Sequence, residues 1–161
     1  MTAPIESFFK FLEDKKGKKL TGISTFKYKL KYAPETLTKQ DNEIEGNLNL
    51  SSLTSIPEGL NPKVGGSLNL SGLTSIPKEF NPTVGGDLFL NSLTSIPEGF
   101  NPTVNGSLYL NGLTSIPKEF NPTVDGYLYL TSWKSNMTQE ELKKRFPNVK
   151  GIIYTKEWQH Q

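Results

Sequence analysis

The chain has 161 residues, no cysteine and a formal net charge of +2. The missing cysteine excludes a disulfide scaffold, a thiolate zinc site and a cysteine nucleophile, and the near-neutral balance argues against the strong basic face of a nucleic-acid binder. At 34% hydrophobic residues the chain is leaner than most globular domains, as an elongated protein with a thin core would be.

Charge is uneven along the chain. Residues 1–45 carry nine lysines against seven acids, residues 46–130 three against six, and residues 131–161 six basic residues against three acids. Two mildly basic ends therefore flank a mildly acidic middle. No stretch reaches the apolar length of a membrane-spanning helix, and no signal-peptide pattern is present. The expectation is a soluble, cytoplasmic protein.

Residues 1–25 read as an N-terminal helical cap. Ile5, Phe8, Phe9 and Leu12 fall on one face of a helix over residues 4–16, at spacings of three and four. Lys15, Lys16, Lys18 and Lys19 follow, either as an anionic contact or as a solvated helix end. Phe26 to Tyr32 alternates apolar and basic residues, the period of a half-buried strand. Stepping back twenty residues from Leu48, Leu50 and Val64 reaches Tyr28, Leu30 and Ile44. Residues 26–45 thus read as a degenerate first coil. Lys27, Lys29 and Lys31 would line the outside of its strand, as anionic contacts or as the lysines that keep an edge strand unpaired.

Four twenty-residue repeats fill 46–125, and a fifth starts at Gly126. A short fixed period is the signature of a stacked solenoid. Each coil opens Gly-x-Leu-x-Leu, with both leucines inward on a short strand. The further inward positions hold leucine or tryptophan at 53 to 133, isoleucine at 56 to 116, leucine or phenylalanine at 60 to 120 and valine at 64 to 124. A single coil cannot bury enough apolar surface to stand alone, so neighbours must stack. Ile-Pro and Asn-Pro steps force extended bends. The glycines at 66, 86, 106 and 126 are expected at tight returns, where a positive φ is tolerated. Asn61, Asn81, Asn101 and Asn121 should form a hydrogen-bonded ladder between coils.

Residues 126–158 read as a C-terminal capping coil, helix and strand. Trp133 replaces the third leucine and should plug the column. Thr138 to Glu141 fits a capping box, Leu142 and Phe146 lie on the helix it opens, and residues 149–154 read as a last strand, closing a βαβ unit. His160, the only histidine, lies in a polar tail and is not expected to be catalytic.

Leu-x-Leu followed by Leu-x-x-Ile-Pro resembles the leucine-rich repeats. The twenty-residue period and the recurrent Leu-Thr-Ser-Ile-Pro are similar to the short bacterial type found in secreted effectors of Gram-negative pathogens, and to repeats of phage and large-virus proteins. The resemblance covers residues 46–130. It implies a solenoid with a parallel β-sheet on one face and extended or turn segments on the other, used to bind protein partners. The spacing after the strand is two residues shorter than in that type and the family's asparagine is absent, so a β-solenoid with a second short strand near Thr83 and Val84 stays open. The effector family's ligase branch needs a cysteine that this chain lacks.

No enzyme constellation, cofactor motif or metal-ligand spacing is present, so the chain is expected to be non-enzymatic, without cofactor or metal. The positions that refuse to repeat lie between the strand leucines: Lys29, Asn49, Asn69, Phe89, Tyr109 and Tyr129. Asp87, Asn91, Asn111 and Tyr127 flank them. Stacked along a sheet, Phe89, Tyr109 and Tyr129 would form an exposed aromatic ladder ringed by asparagine and serine, the composition of a protein hot spot. The expected partner-binding residues are Asn69, Phe89, Asn91, Tyr109, Asn111, Tyr127 and Tyr129. The expected function is a monomeric protein-binding module, an inhibitor or effector acting in host cytoplasm if it comes from a phage or pathogen. Carbohydrate or cell-surface binding is the alternative. Nucleic-acid binding through the basic ends is less favoured, and membrane binding is not expected.

Overall fold

The computed structural model describes residues 22–39 and 41–157. The helix expected over residues 4–16, the Lys15 to Lys19 cluster and His160 lie outside the described residues. Helix α1 (Gly22–Tyr32) and a 3-10 turn (Pro34–Thr36) come first. Ten strands of two or three residues follow: β1 (Glu43–Ile44), β2 (Leu48–Asn49), β3 (Lys63–Val64), β4 (Leu68–Asn69), β5 (Thr83–Val84), β6 (Leu88–Phe89), β7 (Thr103–Val104), β8 (Leu108–Tyr109), β9 (Thr123–Val124) and β10 (Leu128–Leu130). Helix α2 (Gln139–Arg145) and strand β11 (Ile153–Thr155) complete the described chain.

The repeats build a parallel β-solenoid with two sheets rather than one. A six-stranded sheet runs β11-β10-β8-β6-β4-β2, and a five-stranded sheet runs β1-β3-β5-β7-β9. The register is one repeat in both: Leu48 lies beside Leu68, Leu88 beside Leu108, and Val64 beside Val84. The second sheet arises because the Asn-Pro step holds the backbone extended and a β-branched valine follows it. The open alternative from the sequence, a second strand at Thr83–Val84, is therefore the structure, and the single-sheet cross-section is corrected.

The column between the sheets is apolar through the repeats, and a buried Thr155 stands beside Leu130 at its last strand. Leu68, Val84, Leu88, Leu90, Leu108, Leu110, Val124 and Leu128 are fully buried. Phe80, Phe100 and Phe120 stack in a file, with centroids 6.4 and 6.0 Å apart and rings nearly parallel. Outside it, the Asn61 Oδ1 accepts from Asn81 N–H at 2.5 Å, and the same bond repeats to Asn101 and Asn121. The expected asparagine ladder is present.

The glycines do a different job from the one expected. Gly66 and Gly126 have no positive φ. A Cβ at Gly126 would stand 2.7 Å from the backbone of Gly106, closer than real Cβ atoms come. This row is glycine because adjacent coils touch there. The left-handed positions are Gly46, Gly59 and Gly99, joined by one non-glycine, Glu79, at φ 66°. Glu79 occupies the place in its coil that Gly59 and Gly99 occupy in theirs, so it bears the steric cost of that conformation. Glu79→Gly is expected to stabilise the protein by about 1 kcal/mol; a urea midpoint that fell or stayed put would contradict the strain.

Residues 26–32 form part of a helix, not a strand. The alternation fits both periods over so few residues. What decides is that Phe26, Leu30 and Ala33 fall at spacings of four and three and are all buried, while Lys29 and Lys31 lie in the last turn, where cations suit the helix dipole. Only the end of the degenerate coil survives, as Ile44 beside Val64.

At the other end the repeat lengthens. Leu128 pairs with Ile153 and Tyr129 with Tyr154, a step of 25 residues (153 minus 128). The extra length holds α2, whose capping box at Thr138 and Glu141 is formed as expected. The last strand is shorter than expected. Val149 instead bridges Val124 in the other sheet, so residues 149–155 turn the corner at Gly151. Trp133 does not plug the column. It is half-buried and meets Phe146 edge-on at 6.2 Å, while Leu142 and Phe146 are the fully buried pair.

Candidate functional site

The outer face of the six-stranded sheet gathers most of the expected site. Alternate side chains on a strand point to one face, so the row between the strand leucines faces out. Phe89 stacks on Tyr109 with centroids 4.6 Å apart, and Tyr109 on Tyr129 at 4.5 Å. The file continues beyond the sequence reading: Tyr129 stacks on Tyr154 at 4.8 Å with rings 7° apart. Tyr127 stands beside them, edge-on to Tyr129 and Tyr154. It is 44% exposed, as is Ile152 next to it.

The ladder differs from the exposed array expected. Phe89, Tyr109, Tyr129 and Tyr154 are half-buried, because each inner ring is covered on both faces by its neighbours. What the face presents is ring edges and, for the tyrosines, phenolic hydroxyls. Burial raises the pKa of Tyr129, and the neighbouring phenols of Tyr109 and Tyr154 and a hydrogen bond with Tyr109 push the same way. A raised pKa means that this contribution to stability is fully present below the ordinary tyrosine range and is lost as pH rises through the raised value. In an absorbance titration of phenolate, the amplitude that Tyr129→Phe removes should lie above the ordinary tyrosine range. Amplitude lost within the ordinary tyrosine range instead would contradict the stacking.

The polar residues beside the ladder are joined to one another. Asn111 Nδ2 donates to Asn91 Oδ1 at 2.9 Å, and Thr131 Oγ1 donates to Asn111 Oδ1 at 2.9 Å. Asn69 Oδ1 accepts from Ser71 N–H at 3.0 Å and closes the turn after its strand; Asn49 does the same with Ser51. On the other side Asp87 belongs to a ladder the sequence reading missed. Asn47 Oδ1 accepts from Ser67 N–H, Ser67 Oγ from Asp87 N–H, Asp87 Oδ1 from Ser107 N–H and Ser107 Oγ from Tyr127 N–H. Short acceptors at every twentieth residue from 47 to 107 were the signal for it.

The lysines named as anionic contacts do not join this face. Lys27, Lys29 and Lys31 lie on α1, so the row that a strand would have made does not exist. Lys29 Nζ pairs with Asp41 at 2.9 Å, and Lys31 lies 4.9 Å from the Tyr32 ring centre. Burial alone would raise the Asp41 pKa, but hydrogen bonds from Thr38 and Lys29 outweigh it and lower it. The basic cluster of α2 is also spent on the fold. Lys143 Nζ donates to the carbonyls of Val149, Lys150 and Gly151. Arg145 donates to Phe120 O at 3.0 Å and Pro117 O at 2.7 Å. Lys144 pairs with Glu140 at the surface.

Among the described residues, no group of three or more histidines, cysteines or carboxylates is placed to hold a metal ion, and no helix is long and apolar enough to cross a membrane. Comparison of this chain with family models, with curated proteins and with solved structures finds no match to any of them.

Proposed function

We propose that this protein is a non-enzymatic module that binds a protein partner through the outer face of the six-stranded sheet. The observation that carries the reading is the stacked file Phe89, Tyr109, Tyr129 and Tyr154, with Tyr127 and Ile152 exposed beside it. Tyrosine set among asparagine, serine and threonine is the chemistry of an antibody paratope. Rigid aromatic side chains give contact area at little entropic cost, and the short polar ones give adaptable hydrogen bonds. Here the file is already ordered before any partner arrives, which reduces the cost of binding.

Carbohydrate binding is the weaker reading, because sugars stack on open ring faces and the inner faces here are covered by other rings. Nucleic-acid binding through the ends is weaker still, since Lys29, Lys143 and Arg145 are held by Asp41 and backbone carbonyls. Kinship with the leucine-rich repeats belongs to the same proposal: the Leu-x-Leu strands support it, and the second sheet distinguishes this chain from it. Within that kinship, an inhibitor or effector role is the use we favour.

The test is affinity capture with the full chain, followed by direct titration of the purified partner. Tyr127→Ala changes an exposed side chain and should leave folding intact while weakening binding about tenfold or more, as hot-spot tyrosines do. Capture of glycans but no protein would overturn the reading.

A further inference from the structure

A second site lies at the opposite end of the solenoid, away from the aromatic file and independent of it. A cavity of about 290 Å³ opens between the 3-10 turn and the first repeat's Pro57–Gly59 turn. Pro34, Leu37 and Pro57 give it apolar walls, and Glu35, Glu58 and the half-buried Asn42 are its polar lining residues. Both glutamates are exposed, and among the described residues no hydrogen bond or ion pair engages either carboxylate. The Asn42 Oδ1 is buried and has no hydrogen-bond partner. A buried acceptor left unpaired is costly, and such an atom in a native protein marks a place for a donor. Among the described residues, no lysine, arginine or histidine lines the cavity.

Apolar walls with two free carboxylates and an unpaired amide oxygen suit one class of ligand: an aliphatic stem ending in a cation. Lysine and arginine side chains have that form, laying their methylenes on apolar surface while the charged head reaches polar groups. We infer that this cavity receives a lysine or arginine side chain of a protein partner. Among the described residues the site occurs once. The 3-10 turn precedes only the first coil, and in the second and fourth coils the place of Glu58 is taken by Lys78 and Lys118.

The experiment is a titration of the ¹⁵N-labelled full chain, followed by NMR, with three probes: the Nα-acetyl methylamides of arginine, lysine and norleucine. The cationic probes should give saturable shifts at Gly59 N–H and the Asn42 side-chain amide at concentrations on the order of 10 mM, and norleucine should give none. Whichever cation binds tighter names the residue the partner presents. Glu58→Gln should weaken the cationic probes about fivefold, the effect of one charge at contact distance in a water-like medium, and added salt should weaken them too. Equal shifts with norleucine, no saturable shift with any probe, or Glu58→Gln binding as the parent does would each overturn the inference. The aromatic face takes no part in this titration, so a failure here leaves that reading standing, and the reverse holds as well.

Discussion

Phe100→Ala is expected to remove about 3–5 kcal/mol of stability, the range for emptying a buried phenylalanine site. Phe100 is 1% exposed and is the middle ring of the file, 6.4 Å from Phe80 and 6.0 Å from Phe120. Its neighbours belong to the coils before and after, and both coils are locked in register by ladder bonds. They cannot close over the void without breaking those bonds, so the cavity persists. A domain has only about 5–15 kcal/mol in hand, so the loss is a large part of the whole. A solenoid is held together by contacts between neighbours, and weakening one interface lets the two halves unfold apart. Urea unfolding should therefore show a lower midpoint and a broadened or divided transition. A loss under about 1 kcal/mol with a single sharp transition would mean that the file does not couple the coils.

Gln139→Ala with Lys143→Ala is expected to make the protein associate through its last strand. These residues stand one helical turn apart on α2 and attend to the free edge of the solenoid. Gln139 Nε2 donates to Ile153 O at 2.7 Å, and its Oε1 accepts from Ile153 N–H at 3.4 Å. The side-chain amide thus meets both outward groups of Ile153 as a further strand would. Lys143 holds the three carbonyls from Val149 to Gly151. An uncovered strand edge is a template for pairing with another chain. Removing both covers should cost about 2–4 kcal/mol, given one neutral and one charged set of hydrogen bonds. It should also raise the mass seen by light scattering with concentration, relative to the unsubstituted chain. Equal masses at every concentration would contradict the guarding role.

The period was legible because the residues that set it are the ones that pack. Leucine at 48, 68, 88, 108 and 128 allows one register, and the sheet takes it. The second sheet was legible only as an open alternative, because Thr83–Val84 sits between a proline and a glycine and is too short to show alternation. Helix α1 was misread because Phe26 and Leu30 are apolar in both periods, and only burial at the end of the column separates them. Tyr154 escaped because the last coil is five residues longer than the rest. The pattern was there: Val149, Gly151, Ile153 and Tyr154 repeat Val124, Gly126, Leu128 and Tyr129. The stacking of Phe89, Tyr109 and Tyr129 was legible from the period alone. That stacking would cover the ring faces was not, since it depends on how the side chains lean.

Aromatic pairs across strands also stabilise sheets, so the ladder must be separated from its own contribution to the fold. The direct measurement is a paired one on Tyr109→Ala/Tyr129→Ala: calorimetric titration with the captured partner, and urea unfolding of the same sample. A binding file predicts affinity lower by a factor of about 100 or more, as for a double loss from a hot spot, in a protein that still unfolds cooperatively at the working temperature. Undiminished affinity in the folded variant would contradict the assignment and leave the rings as sheet packing alone.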